Sequence, residues 1–103
     1  GLQYLRVPVA DEQSADLLSH LEGAVAFVSD ALDSGAVVLL HCKHGQSRSA
    51  AVAAACLVRR NGWSLDRSMA HLRECRPRVK PNPGFMQQLE SFEASTAQRV
   101  APC

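Results

Sequence analysis

The residues best suited to do chemistry lie between His41 and Ser49, in the segment His-Cys-Lys-His-Gly-Gln-Ser-Arg-Ser. Within it, Cys42 precedes Arg48 by six positions, so one short loop carries both a thiol and a guanidinium. An ionised thiol is a nucleophile, and a planar guanidinium binds two phosphate oxygens at once. The pair therefore predicts nucleophilic attack on a bound phosphate ester. A Cys-x5-Arg spacing alone is weak evidence for a phosphate site, so the prediction depends on the elements on either side of the loop.

Two apolar segments position this loop. Residues 36–40 form a short apolar run with β-branched side chains, typical of a buried strand, and residues 50–58 form a longer run typical of a buried helix. Arg59, Arg60 and Gly62 follow as a basic last turn and a glycine stop. A loop between a strand end and a helix start directs its amides and the positive end of the helix dipole toward an anion. We therefore predict a phosphate cradle at this junction.

The cradle is predicted to consist of the consecutive residues after Cys42. These phosphate-binding residues are Lys43, His44, Gly45, Gln46, Ser47 and Arg48. Gly45 lets the backbone approach the ligand closely, and the positive surroundings favour the Cys42 thiolate. Such sites lower the pKa of a cysteine from about 8.5 to roughly 3.5–7.5. His41 is interpreted as a buried, hydrogen-bonded residue that orients the loop.

The remaining patterns predict an α/β fold. They indicate a strand over residues 2–9, a helix from Ser14 to a glycine stop at Gly35, a helix from Ser64 to just before Pro77, and a helix capped by Asn82 with Pro83 in its first turn. The run at 36–40 is expected to lie centrally, because strands of parallel sheets are covered on both faces. The predicted architecture is a central, mainly parallel sheet flanked by helices.

Composition restricts the class of protein. The chain has 103 residues, 47% of them hydrophobic and 20% charged, which suits one packed domain. No apolar stretch reaches the roughly 18 residues of a membrane span, and the net charge of +1 argues against a general nucleic-acid binder. Residues 1–34 hold one basic and six acidic residues, whereas the remainder holds ten basic and four acidic ones. The second half therefore favours a small anionic ligand.

The cysteines, at positions 42, 56, 75 and 103, show no Cys-x-x-Cys pair or repeated spacing. This pattern predicts reduced thiols in an intracellular compartment, cytoplasmic or nuclear, and no metal site. A metal held by His41, Cys42 and His44 is disfavoured because these residues are too close together in the chain. Cys56 and Cys75 are predicted to be core residues, with a disulfide to Cys42 under oxidation as the alternative.

Three segments carry a resemblance to a known family. The segment His-Cys-x-x-Gly-x-Ser-Arg-Ser, preceded by Val-Val-Leu-Leu, resembles the signature of the dual-specificity protein phosphatases, within the cysteine-dependent phosphatase superfamily. Residues 5–11 (Leu-Arg-Val-Pro-Val-Ala-Asp) are similar to the segment that carries the general acid of that family. Residues 76–85 (Arg-Pro-Arg-Val-Lys-Pro-Asn-Pro-Gly-Phe) resemble the stretch after the third helix in its small atypical members. The segments occur in the family's order.

The resemblance implies a role for each matching residue. Cys42 corresponds to the nucleophile, Arg48 to the phosphate binder, and Asp11 to the acid of the first step and the base of the second. Ser49 would hydrogen-bond the departing thiolate, and Asn82 would brace the loop. The implied activity is hydrolysis of phosphotyrosine and phosphoserine or phosphothreonine in proteins or peptides, through a cysteinyl-phosphate intermediate and without a cofactor.

The domain is assigned to residues 1–93, followed by a frayed tail over 94–103. Relative to the family pattern, the strands and helix that precede the acid segment are missing, so a truncated phosphatase-like domain is expected.

Simpler interpretations stay open at several positions. Cys42 alone would suit a small buried apolar residue, Asp11 a solvated turn, and Ser49 a helix cap. Two alternative functions also remain, namely a phosphoprotein-binding pseudophosphatase and a phosphoinositide phosphatase, the latter prompted by Lys43. A run of cations, Arg73, Arg76, Arg78 and Lys80, is either a solvated face or a surface that favours acidic flanks of a phosphopeptide.

Overall fold

The computed structural model describes residues 2–4, 12, 14–39 and 47–99 of the chain. Their elements are β1 (Leu2–Tyr4), α1 (Leu18–Asp33), β2 (Val37–Leu39), α2 (Arg48–Asn61), α3 (Leu65–Cys75) and α4 (Pro83–Arg99). Among these residues, no helix is long and apolar enough to cross a membrane.

The predicted α/β class, with a central and mainly parallel sheet between helices, is wrong for the described residues. These residues form four helices and one two-stranded sheet, in which β1 and β2 pair in parallel over three residues each. The central element is α2, which packs against α1, α3 and α4. The prediction went wrong because an apolar, β-branched run identifies a strand but does not say how many strands join it.

The composition of α2 explains its central place. Four of its alanines, Ala50, Ala51, Ala54 and Ala55, are buried on a helix whose contacts extend to three neighbours. Small side chains let the neighbouring helices approach the α2 backbone closely, and Val52 and Val58 fill the space between them.

Local capping chemistry sets the helix ends, as the sequence predicts. Gly35 and Gly62 follow α1 and α2 with positive φ angles of 85° and 67°, which glycine adopts without strain. The Ser64 side chain accepts a hydrogen bond from the Arg67 backbone N–H at 3.1 Å and caps α3. Asn82 caps α4 through Oδ1.

Two helix boundaries differ from the predicted ones. The first helix begins at Leu18 instead of Ser14, because the preceding backbone is held by a side chain from α4. The last helix continues to Arg99, so residues 94–99 are helical where the sequence indicated a tail. In that segment Thr96 is buried and its Oγ1 accepts a hydrogen bond from Nε of Arg59 at 3.0 Å, which ties the end of α4 to α2.

The core lies between α2 and the helices around it. Its largest fully buried side chains are Phe85, Phe92, Leu17, Leu21, Leu89 and Val52. Three of these come from one face of α4, at positions 85, 89 and 92. Because truncating a buried phenylalanine to alanine typically costs about 3–5 kcal/mol, α4 contributes a large part of the stability.

Candidate active site

The site is built on the N-terminal turn of α2. Arg48 is the first residue of this helix and its Nε atom is buried, while Ser49 follows it in the same turn. The first N–H groups of a helix lack intrahelical partners and carry the positive end of its dipole. The turn therefore combines a guanidinium with a backbone suited to an anion.

Ser47 connects this turn to α4. It is buried and precedes α2, and its carbonyl accepts a hydrogen bond from the Ala51 N–H at 2.8 Å. Its side chain makes no capping bond to its own helix. Instead, Ser47 Oγ accepts a hydrogen bond from the Asn82 backbone N–H at 3.0 Å, across 35 residues of sequence. The residue before Arg48 is thus fixed in position by the residue that caps α4.

Asn82 binds to the α2 side through its backbone and to α4 through its side chain. Its Oδ1 accepts a hydrogen bond from the Phe85 N–H at 2.8 Å, so its side chain caps α4 while its backbone binds Ser47. The structure brings together Ser47, Arg48, Ser49 and Asn82, four of the residues that the sequence singled out. The N-cap of α2 is Ser47, not the Ser49 of the alternative interpretation.

The other residues assigned to the site lie outside the described part of the chain. They are Asp11, His41, Cys42, Lys43, His44, Gly45 and Gln46. Their roles stay predictions.

Gln88 of α4 was not predicted from the sequence. Its Oε1 accepts hydrogen bonds from the backbone N–H groups of Leu17 and Leu18, each at 2.7 Å. Its Nε2 donates to the carbonyls of Ala15 at 2.9 Å and Gly84 at 3.2 Å. The start of α1, which follows the predicted acid Asp11 by a few residues, is therefore bound to α4. The residue that caps this helix, Asn82, also binds Ser47. A signal exists in the sequence, because position 88 lies on the apolar face that carries Phe85, Leu89 and Phe92.

The two described cysteines occupy different environments. Cys56 is buried in α2, and this burial raises its pKa to about 11, an effect that the nearby Arg60 slightly opposes. It stays a thiol at neutral pH, in agreement with the predicted core position. Cys75, predicted to be core, is exposed at the last turn of α3, so that prediction is wrong. Cys75 is the last residue of α3, whereas the buried Met69 lies in the middle of the helix. Within the described ranges, no cluster of His, Cys, Asp or Glu could hold a metal.

Residues 1–95 match a family described as the dual specificity phosphatase, catalytic domain. The chain belongs to the dual specificity phosphatase family. It is 45% identical over 103 residues to dual specificity phosphatase 28 of Mus musculus, a match that covers 99% of this chain and 63% of the relative. It is 46% identical over 90 residues to protein phosphatase Slingshot homolog 3 of Rattus norvegicus, covering 87% of this chain and 14% of that protein. The recognition made from the three sequence segments is confirmed.

A solved structure shows the same relationship in three dimensions. The crystal structure of mouse putative dual specificity phosphatase complexed with zinc tungstate superimposes on this member of the family with a TM-score of 0.90 at 45% identity. The match covers 95% of this chain and 62% of that one. This dual specificity phosphatase chain thus spans less than two thirds of the length of the mouse relatives it matches.

Proposed function

We propose that this chain is a protein phosphatase that hydrolyses phosphotyrosine and phosphoserine or phosphothreonine through a phosphate ester of Cys42. One observation carries the most weight. In a member of the dual specificity phosphatase family, the His41–Ser49 segment leads directly into the N-terminus of α2, where Arg48 begins the helix. The Ser47 to Asn82 hydrogen bond supports this assignment, since it fixes the end of the predicted phosphate loop.

The first step is transfer of the phosphoryl group to sulfur. The substrate phosphate binds the guanidinium of Arg48, the loop amides and the positive end of the α2 dipole. The Cys42 thiolate attacks phosphorus, so an S–P bond forms as the P–O bond to the substrate breaks. Asp11 donates its proton to the leaving oxygen, which makes the alcohol or phenol the product.

The second step regenerates the thiolate. The Asp11 carboxylate accepts a proton from water as the water oxygen attacks phosphorus. The S–P bond breaks and inorganic phosphate leaves. Ser49 donates a hydrogen bond to the departing thiolate and thereby lowers its basicity. In this scheme the chain's own residues perform every proton transfer.

Substitution of Cys42 tests the proposal. We expect Cys42→Ser to reduce hydrolysis of an aryl phosphate to background, because an alcohol is far less ionised than an activated thiol. Cys75→Ser is the matched control, since Cys75 is exposed on α3, and it should retain full turnover. Retained turnover in Cys42→Ser would end the proposal.

The role of Asp11 has a separate test. Asp11→Asn should slow hydrolysis of esters with poor leaving groups about 10²- to 10⁴-fold and affect good leaving groups much less. Asp16→Asn is the control, because Asp16 is exposed and accepts a hydrogen bond from the Ser19 N–H at 3.1 Å, which an asparagine oxygen also accepts. An equal loss for both classes of ester would remove Asp11 from its role.

The same assays separate the alternatives. Tight phosphopeptide binding by the unmodified chain without release of phosphate would identify a pseudophosphatase, and faster turnover of phosphoinositide than of phosphopeptide would identify a lipid substrate. The cysteines show no paired or repeated spacing, which supports activity in a compartment that keeps thiols reduced, the cytoplasm or the nucleus.

A further inference from the structure

A groove lies beside the predicted phosphate site, between α2 and the end of α3. It is lined by Ser49, Ala50 and Ala53 from α2 and by Leu72, Arg76 and Val79 from α3 and the segment after it. Its volume is about 220 Å³. Because sites for whole small-molecule ligands are usually roughly 300–1,000 Å³, this groove is better suited to a side chain of a larger partner.

The groove begins next to the residue that is proposed to bind phosphate. Ser49 follows Arg48 directly, and Ala53 lies five positions beyond Arg48 on α2. At 1.5 Å per residue, this places Ala53 roughly 8 Å along the helix from Arg48. An extended peptide advances about 3.3 Å per residue. A side chain one to three positions from a phosphorylated residue at Arg48 therefore reaches the groove.

The lining is apolar on the inside and cationic at the edge. Ala50 and Val79 are buried, Ala53 and Leu72 are half-buried, and the small alanine side chains leave the space open. Arg76 also lines the groove and is exposed. An aliphatic side chain suits the interior, and a carboxylate suits the edge.

The charge around Arg76 favours an acidic partner. Exposed cations follow closely along the chain at Arg78 and Lys80, and Arg73 precedes them on α3. Glu74 is the one acidic residue between positions 73 and 80. Among the residues that the structure describes, none of these cations takes part in an ion pair within the chain. Their charge is therefore available to a ligand, although each contact in solvent is weak.

The geometry points to a substrate-recognition site in this groove. It binds an aliphatic side chain one to three positions from the phosphorylated residue of a phosphoprotein, and Arg76 binds an aspartate or glutamate beyond it. This inference rests on the proposed function, because it places the substrate phosphate at Arg48. It adds a preference for aliphatic and acidic flanking residues, which the catalytic residues themselves do not supply.

Turnover of matched phosphopeptides provides the first test. The peptides carry leucine or alanine two positions before or after the phosphoresidue, and a small aryl phosphate that does not reach the groove is the reference. Burial of the additional leucine carbons predicts a kcat/KM about tenfold higher for one leucine peptide than for its alanine counterpart. Ala53→Leu, which fills the groove, should abolish this difference and leave the aryl phosphate rate unchanged. Ala26→Leu, on the exposed face of α1, is the matched control and should preserve it.

The acidic preference is tested at the exposed position. Arg76→Glu should lower kcat/KM for a peptide with an added aspartate severalfold and raise it for one with lysine instead. The control is Arg60→Glu, a charge reversal at the far end of α2. Equal turnover of all peptides by a chain that hydrolyses the aryl phosphate would overturn the groove proposal and leave the proposed function intact. A lack of aryl phosphate hydrolysis would instead count against the proposed function.

Binding without turnover is measured through Cys75. This exposed cysteine also lines the groove, so its alkylation reports whether the groove is occupied. In the Cys42→Ser chain, a saturating leucine phosphopeptide should slow alkylation of Cys75 severalfold, as measured by mass spectrometry of the peptide that contains it. The alanine phosphopeptide should slow it less. Identical rates with both peptides would refute the inference whether or not the wild-type chain is active.

Discussion

Replacement of Gln88 by methionine tests how α4 anchors the start of α1. The substitution keeps the length of an unbranched side chain and removes its hydrogen bonds to Ala15, Leu17 and Leu18. Leu17 is fully buried, and without Gln88 its N–H keeps only the longer bond to the Ala15 carbonyl at 3.1 Å, so the loss of the bond to Gln88 Oε1 costs about 0.5–1.5 kcal/mol. The N–H of Leu18, whose residue is 38% exposed, is more easily solvated. With the bond from Gln88 to Ala15 included, we expect the free energy of unfolding to fall by about 2–4 kcal/mol.

Urea unfolding, followed by far-ultraviolet circular dichroism, measures this change. Gln87→Met is a close control, because Gln87 is the adjacent residue of α4 and is exposed; its effect should stay within about 0.5 kcal/mol. In the folded Gln88→Met chain, we also expect a larger loss of turnover for poor leaving groups than for good ones, since the anchored segment follows Asp11 in the sequence. If the two methionine variants unfold at the same urea concentration, the three hydrogen bonds from Gln88 to Ala15, Leu17 and Leu18 do not hold the start of α1 in place.

Two further predictions concern α2. Arg59→Met removes an ion pair with both carboxylate oxygens of Glu22, the hydrogen bond to Thr96 and a contact with the face of Phe92 at 4.5 Å. It should lower the free energy of unfolding by about 1–3 kcal/mol. Arg60→Met breaks a single ion pair, with Asp33, that is more exposed to solvent, and should lower the free energy of unfolding by less than about 1 kcal/mol. Urea midpoints compare the two, and equal midpoints would contradict the structure. Because burial raises the pKa of Cys56 from 9.0 to about 11, the native state disfavours the thiolate. The contribution of Cys56 to the free energy of unfolding is therefore fully present below pH 9 and falls between pH 9 and about 11, by about 1.4 kcal/mol per pH unit. The difference in unfolding free energy between wild type and Cys56→Ala should follow that slope, and a difference that stays constant with pH would refute it.

Local chemistry in the sequence was sufficient to predict most helix ends. Gly35 and Gly62 follow their helices with positive φ, and Ser64 and Asn82 cap theirs through side-chain oxygens, because these effects depend on neighbouring residues alone. The start of α1 was misplaced because its anchor, Gln88, lies about 70 positions away in the chain. No local pattern contains such a contact.

Fold class depends on contacts that the sequence does not specify locally. The run at 36–40 does contain a strand, but β2 has three residues and pairs with β1 alone among the described elements. The nine apolar residues after Ser49 predict a buried helix, yet only the packing of α1, α3 and α4 around it makes α2 the centre of the structure.

The candidate site, like the fold, could be predicted from the sequence only in part. Resemblance to a family predicts that Asn82 braces the predicted phosphate loop, a role that stays a prediction; the structure shows one contact of this residue, between its backbone N–H and Ser47 Oγ. A backbone donor cannot be inferred from the residue type. The groove beside Ser49 was also hidden, because it exists only where α2 meets the end of α3.

The most direct measurement is the identity of the residue that carries phosphate during turnover. The Asp11→Asn chain, mixed with an aryl phosphate that has a good leaving group and quenched within one turnover, should accumulate one phosphoryl group. Mass spectrometry of the digested chain should place this group on Cys42. Phosphate release with no phosphorylated Cys42, or with the phosphoryl group on another residue, would contradict the proposed mechanism.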